Sequence, residues 1–239
     1  MSVIAHKLSR AWQELGRSEL GGRDKALHLA ELTVTMAGLS PAVVVSRRRF
    51  YELRTPPPMF RGLRDLTVRL GAPVDTAALC AVHQCSPALV AERFARGDLV
   101  FVGELDRTIL AHAWFHAGPA PFGEDEPEHP CWAVPKGTYW SYHAVATPEA
   151  RASGVFAKVF QSALRTVLID YQAERVRGWA RASNQQSISL HERIGFRLLG
   201  RLDMMALPGV RWLCWTDESG KRQWLQRRTR GAVFAFPPR

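Results

Sequence analysis

Residues 184–196 read Asn-Gln-Gln-Ser-Ile-Ser-Leu-His-Glu-Arg-Ile-Gly-Phe, and this stretch decides the fold. Asn184 suits a helix N-cap, because its side-chain carbonyl accepts from the free amides of a first turn. Ser187, Leu190 and Ile194 follow at helical spacing. Gly195 closes the helix, since glycine tolerates the left-handed conformation in which helices end. Phe196 opens an apolar run that reads as a strand. The expectation is a short capped helix between two strands, with His191 projecting from its middle.

Working upstream, residues 148–158 read Pro-Glu-Ala-Arg-Ala-Ser-Gly-Val-Phe-Ala-Lys. Thr138 to Ala146, just before them, is rich in strand formers. Just after, Val155, Val159, Phe160, Ala163, Leu164, Val167 and Leu168 recur at helical spacing. A strand therefore runs into a turn carrying Arg151 and Gly154, and the turn opens a long helix. A helix N-terminus offers unpaired amides and partial positive charge, which suits phosphate. Gly154 lets the backbone come close to such a ligand.

Taken in order, the two motifs resemble those of the GCN5-related N-acetyltransferases (GNAT). The last conserved motif of that family runs Asn, a small residue three positions on, then Tyr, then Gly-Phe. Its pyrophosphate loop runs Arg/Gln-x-x-Gly-x-Gly/Ala. Arg151 and Gly154 match the loop, whereas Phe156 stands where the family has Gly or Ala, and Ala152 replaces a frequent glycine. His191 stands at the tyrosine position. The resemblance covers about residues 62–216 of the chain.

The resemblance implies an α/β fold with a mixed, largely antiparallel central sheet, splayed central strands and flanking helices. It implies an acyl-CoA donor, acetyl-CoA first, and direct transfer of the acyl group to a small-molecule or protein amine. On the donor side it points to the backbone at Val145 and Ala146, and to the turn of Arg151, Ala152, Ser153, Gly154, Val155 and Phe156. Asn184 stands there as the cap of the last helix. The bulky Phe156 would narrow the pyrophosphate seat or alter which donor fits. For chemistry it points to His191 as the acid that protonates the leaving thiolate, with Tyr142 or Tyr139 as substitutes. His143 is the candidate base, with Glu104, His112 and His116 behind it. Strand alternation puts His143 and Val145 on one face and Tyr142 and Ala144 on the other.

The acidic run Glu124, Asp125, Glu126 and Glu128 would draw a cationic amine, such as a polyamine, an aminoglycoside or a lysine side chain, or is a solvated loop. Phe156 and the basic surface also leave room for a longer acyl group or an acyl carrier protein as donor. The competing class is an inactive acetyltransferase-like binding module that acts on nucleic acid or a protein partner. A homodimer is compatible with either.

Composition sets the outer bounds. The 239 residues, 46% of them hydrophobic, suffice for one large domain or a domain with an extension. No apolar run approaches the roughly 18 residues of a membrane span. The opening Met-Ser-Val-Ile-Ala-His-Lys lacks the apolar core of a signal peptide. A cytoplasmic protein without a membrane span is expected. The four cysteines form no Cys-x-x-Cys pair and the eight histidines show no zinc spacing, so no metal is expected and the thiols read as reduced. Cys131, in an expected loop, is the candidate reactive thiol. The net charge of +10 favours anionic partners: nucleic acid, an anionic membrane face, CoA phosphates or an acidic carrier protein. Surplus arginine gives the same charge with no polyanion partner.

Three segments result. Residues 1–60 read as a helical extension with a Pro-rich linker. Ile4, Leu8, Trp12 and Leu15 form an apolar stripe that packs on the neighbouring domain or lies on a membrane surface. Val43 to Val45 reads as a short strand. Arg47-Arg48-Arg49 reads as a solvated run or a contact for the CoA 3′-phosphate, and Pro56 to Pro58 as a stiff linker. Residues 61–216 read as the acyltransferase-like domain. Its expected order is a strand at 66–70, helices at 75–82 and 88–94, a hairpin at 99–115 and a long loop at 118–138. The phosphate-turn strand, the long helix, a strand at 176–182, the capped helix and a final hairpin through Pro208-Gly209 follow. Residues 217–239 form a basic C-terminal segment, in which Trp224 and Val233 to Phe236 read as a strand or docked piece.

Overall fold

A computed structural model describes residues 44–59, 61–123, 130–151, 153–207, 210–225 and 233–235. Outside the described residues lie the apolar stripe of residues 1–40, the acidic cluster at 124–128, Ala152, Pro208-Gly209, and residues 226–232 and 236–239.

In chain order the elements are β1 (Val44–Leu53), β2 (Thr67–Leu70), α1 (Thr76–His83), α2 (Pro87–Ala95), β3 (Leu99–Leu105) and β4 (Thr108–Ala117). Next come β5 (Ala120–Phe122), β6 (Cys131–Val134), β7 (Thr138–Ala146), α3 (Val155–Ile169), β8 (Arg175–Arg181) and α4 (Gln185–Ile194). The last are β9 (Arg197–Leu207), β10 (Val210–Asp217), β11 (Arg222–Leu225) and β12 (Val233–Ala235). Nine strands form one sheet in the order β11-β10-β9-β1-β8-β7-β4-β3-β2, and β12-β6-β5 form a second, small sheet. Every neighbouring pair in the large sheet is antiparallel except β7 with β8. That parallel pair is joined by α3, the crossover such strands require.

Local chemistry explains the helices. Ser86 caps α2, its hydroxyl accepting from the Leu89 amide at 3.3 Å, and Pro87 fills the first turn, where no amide hydrogen is needed. Asn184 caps α4, its side chain accepting from the Ser187 amide at 3.0 Å. Gly195 ends α4 in the left-handed region, at φ 99°. All seven apolar positions expected on the long helix are buried along α3.

The sheet separates two cores. Leu79 of α1 and Val90 of α2 pack with Phe50, Trp114, Trp140 and Tyr142 on one face. On the other, α3 and α4 pack through Phe160, Leu164, Ile188 and Ile194 onto Tyr51, Phe115 and Val176. Neighbours such as Phe50 and Tyr51, or Trp114 and Phe115, fall in different cores, as strand alternation dictates.

Two expectations are corrected. The short strand with a solvated arginine run is a ten-residue strand, β1, that lies between β8 and β9. Arg47 and Arg48 are 8% and 3% exposed. Arg47 is paired with Asp203 (2.8 Å), and the Arg48 guanidinium lies 4.1 Å from the centre of the Trp179 ring. Arg47 is thus held by an acid and Arg48 by an aromatic face, which lets these two charges be interior.

The long loop at 118–138 carries β5 and β6. These join β12 to bring Phe122 and Trp132 over Trp140 and Phe50. Cys131 begins β6 half-buried, and burial pushes its thiol pKa up, against thiolate chemistry. Among the described residues no helix is long and apolar enough to cross a membrane.

Candidate active site

The two central strands separate where the site lies. β7 pairs with β8 only over Thr138, Tyr139 and Trp140. From there β8 continues with β1, and β7 continues with β4 alone. The β8-facing edge of Ser141 to Ala146 is left open. A β-bulge shapes this edge: Val145 lies opposite His112 and Tyr142 opposite Trp114, which leaves one extra residue on β7. His143 sits in it at φ 41°, a conformation side-chain-bearing residues seldom adopt and one that concentrates at functional sites.

The bulge overturns simple alternation. Tyr142 and His143 both face the α1 side, and Ala144 faces α3 and α4. The Thr147 amide donates to the Leu110 carbonyl at 2.8 Å. Because successive amides on a strand point to opposite edges, the Ala146 N–H points into the gap.

The open edge ends in the turn that starts α3. Amides of Ala150, Arg151 and Ser153 fold back on the carbonyls of Thr147, Pro148 and Ala150 at 3.1, 3.4 and 3.3 Å. Gly154 occupies the N-cap position at φ 81° with no side-chain cap bond. The first amides of α3 therefore lack intrahelical acceptors and suit an anion. Ser153 donates to the Ala150 carbonyl (2.8 Å) and accepts weakly from the Val155 amide (3.4 Å).

Arg151 is exposed, and its Nε donates to the Ala146 carbonyl at 3.3 Å, which places the guanidinium beside the gap. The half-buried Phe156 ring stacks on Phe160 at 5.7 Å, packed against the core. Lys158 is turned away, to the carbonyls of Leu63 and Leu66 (2.8 Å to the latter).

His191 is 6% exposed and boxed by Tyr51, Phe196 and Phe160 at ring distances of 4.9, 4.9 and 5.7 Å. Its Nδ1 donates to the Ser187 carbonyl at 2.7 Å, so Nε2 is the nitrogen left to exchange a proton. Burial pushes its pKa down, against the bond to Ser187.

Tyr142 is otherwise engaged. Its hydroxyl donates to Asp98 and accepts from Arg96 at 3.2 Å, and burial pushes its pKa up. Burial opposes the charge of Asp98, but bonds from His116 (2.7 Å), Arg96 (2.6 Å) and Tyr142 outweigh it and hold the carboxyl below its ordinary range. Glu104 pairs with Arg69 at 2.8 Å. Tyr139 packs edge-on to Tyr171.

His112 is 0% exposed, and burial first, then His83, Arg93 and His143, push its pKa down to about 3. The structure also brings in His83, the last residue of α1, whose ring centroid lies 4.6 Å from that of His143. A basic residue ending a helix is ordinary, so the sequence carried no signal for it. Among the described residues no group of three or more His, Cys, Asp or Glu side chains is placed to hold a metal ion.

No protein-family model matches the sequence, and no curated protein matches it. Solved structures resemble it in fold. One is a Drosophila protein, 14% identical with a TM-score of 0.50, covering 75% of this chain and 56% of its own. A GCN5-related N-acetyltransferase from Kribbella flavida is 13% identical with a TM-score of 0.49, covering 76% and 64%. A ribosomal-protein-alanine N-acetyltransferase from Brucella melitensis is 17% identical with a TM-score of 0.43, covering 55% and 84%. Identities this low speak to fold alone. The sheet with its parted parallel pair, the glycine turn at the head of α3 and the capped last helix thus make up a fold similar to that of solved structures that include a protein described as a GCN5-related N-acetyltransferase.

Proposed function

We propose that the chain is an acyl-CoA-dependent N-acyltransferase, with acetyl-CoA the preferred donor, that transfers its acyl group directly to an amine. The observation that carries this reading is the open edge of β7, bulged at His143 and running into the Gly154 turn. That edge offers backbone donors to a pantetheine arm, and the turn offers helix amides to a pyrophosphate. The Phe156 ring packs against the core, which leaves its amide available to the phosphates.

Acyl transfer needs a neutral amine, a stabilised oxyanion and a proton for the leaving thiolate. The Ala146 N–H serves the oxyanion. His143, on the α1 side of the bulge, takes the proton of the acceptor ammonium. His191 gives its Nε2 proton to sulfur from the imidazolium form, since Nδ1–H is held by Ser187. Burial disfavours that form, so turnover through His191 is expected to rise as pH falls.

Titration calorimetry with acetyl-CoA, followed by an amine screen with detection of released thiol, tests the reading. Heat of binding and amine-dependent thiol release are expected. No heat with either CoA or acetyl-CoA would leave a fold without this donor. His191→Phe should lower kcat far more than donor affinity. Unchanged turnover across pH would hand the proton to solvent.

A further inference from the structure

Resting on the acyltransferase reading above, the geometry points to His83 as the outer half of a two-histidine proton relay on the acceptor side. His143 takes the proton from the acceptor ammonium, and His83 carries it away to solvent.

Three histidines from three elements converge there: His83 from the end of α1, His112 from β4 and His143 from the bulge of β7. The rings of His83 and His143 meet edge-to-face at 4.6 Å, and His83 lies 5.9 Å from His112. They differ in access to water. His112 is sealed at 0% exposure, whereas His83 and His143 are half-buried. His83 sits where α1 stops, at a left-handed Gln84 (φ 54°) whose amide closes the helix on the Cys80 carbonyl at 2.7 Å. The helix end therefore fixes where the ring stands, beside the bulge.

The groups bearing on this cluster explain the direction of travel. Arg93 of α2 acts on His112 together with the other two histidines. Tyr142, whose ring lies 5.4 Å from that of His143, is committed to Asp98. His112 is held neutral, first by burial, and forms a floor rather than a carrier. The proton's exit is then through His83, by a small ring rotation or one intervening water.

The balance is simple. The ammonium N–H bond breaks as His143 gains a proton, His143 passes one to His83, and His83 releases it to water. The freed amine lone pair forms the C–N bond as the C–S bond breaks. The second N–H proton then leaves the new amide nitrogen by the same relay, and the thiolate takes its proton from His191, which regains one from water. Both imidazoles are regenerated without a further reactant.

His83→Ala and His83→Gln test the relay, with acetyl-CoA as donor and the best amine from the screen. Both variants are expected to lose about tenfold or more in kcat, while KM for acetyl-CoA stays within about twofold. Free imidazole added to His83→Ala should restore turnover, because it fills the space with a proton carrier, whereas His83→Gln should not respond. His143→Ala should lose more, and His83→Ala added to it should cost little further, as expected of residues acting in series.

The relay is overturned if His83→Gln matches the parent. It is also overturned if His83→Ala loses activity that imidazole fails to restore while its melting temperature falls, since that marks a packing role. A parent protein that binds acetyl-CoA but acylates no amine removes the transfer reading and the relay with it. Failure confined to the variants removes the relay alone.

Discussion

Gly154 is the residue at which the proposed phosphate seat is most directly tested. The residue stands at φ 81° at the head of α3. A side chain there costs about 1–2 kcal/mol in backbone strain wherever it points. Gly154→Asp adds a carboxylate where an anion should approach, and Gly154→Ala adds only the strain. Both variants should melt a few degrees lower. Only Gly154→Asp should lose most of its acetyl-CoA affinity by calorimetry, and equal binding by both would take the phosphate away from this turn.

His112 makes a residue-scale prediction about pH. Its folded pKa of about 3 lies below the ordinary value of 6.5. Between those values the unfolded chain holds a proton that the folded one does not. The stability is therefore complete above about 6.5 and is lost as pH falls towards 3. Buried His191 contributes in the same direction. Asp98, whose pKa is also depressed, acts only below about 4. Urea midpoints should thus fall between pH 7.5 and 5, and His112→Leu should flatten that slope. An unchanged slope would mean that His112 is protonated in the fold. At this scale the sequence pointed to Asn184 as a cap and to Gly154 as the start of α3, because each acts on the backbone beside it. It misplaced Tyr142 relative to His143, because a bulge is set by the partner strand and leaves no mark in a run of strand formers.

Elements were legible where their signals are local. α3 and α4 are bounded by a cap or a glycine and carry their own apolar stripe, and both form as expected. The bond from the Ser187 amide to Asn184 gives this a measurable value. Asn184→Ala should cost about 1 kcal/mol in chemical denaturation, and donor affinity should stay close to the parent's. A large loss of affinity without loss of stability would place Asn184 on the donor itself.

β1, β5 and β6 were the illegible elements, because what holds each lies far along the chain. Arg47 answers to Asp203, Glu52 to Arg177 at 2.8 Å, and Cys131 to Val233. A window of sequence shows the charges and not their partners. The short strands of the small sheet lie in a Pro- and Gly-rich stretch that reads as loop until β12 pairs with it.

Across the whole molecule, the large sheet depends on a strand from near the N-terminus. β1 pairs with β8 over six residues and with β9 over nine, so it bridges the donor-side strands and the final hairpin. It also buries Phe50, Tyr51 and Leu53, at 0%, 1% and 3% exposure. Losing a buried side chain of this size costs about 2–5 kcal/mol, and three of them approach the 5–15 kcal/mol by which a domain is stable. Two truncations separate this strand from what precedes it. A chain starting at residue 41 keeps β1 and should unfold cooperatively and bind acetyl-CoA nearly as the parent does. It should be less soluble and altered in its choice of amine, because the stripe of Ile4, Leu8, Trp12 and Leu15 needs an apolar partner surface. A chain starting at residue 61 leaves facing edges on β8 and β9 with unpaired backbone and should aggregate. Supplying residues 41–58 as a peptide should recover donor binding. If the chain from residue 61 proves soluble, cooperative in unfolding and able to bind acetyl-CoA, β1 is an addition to the sheet rather than part of its frame.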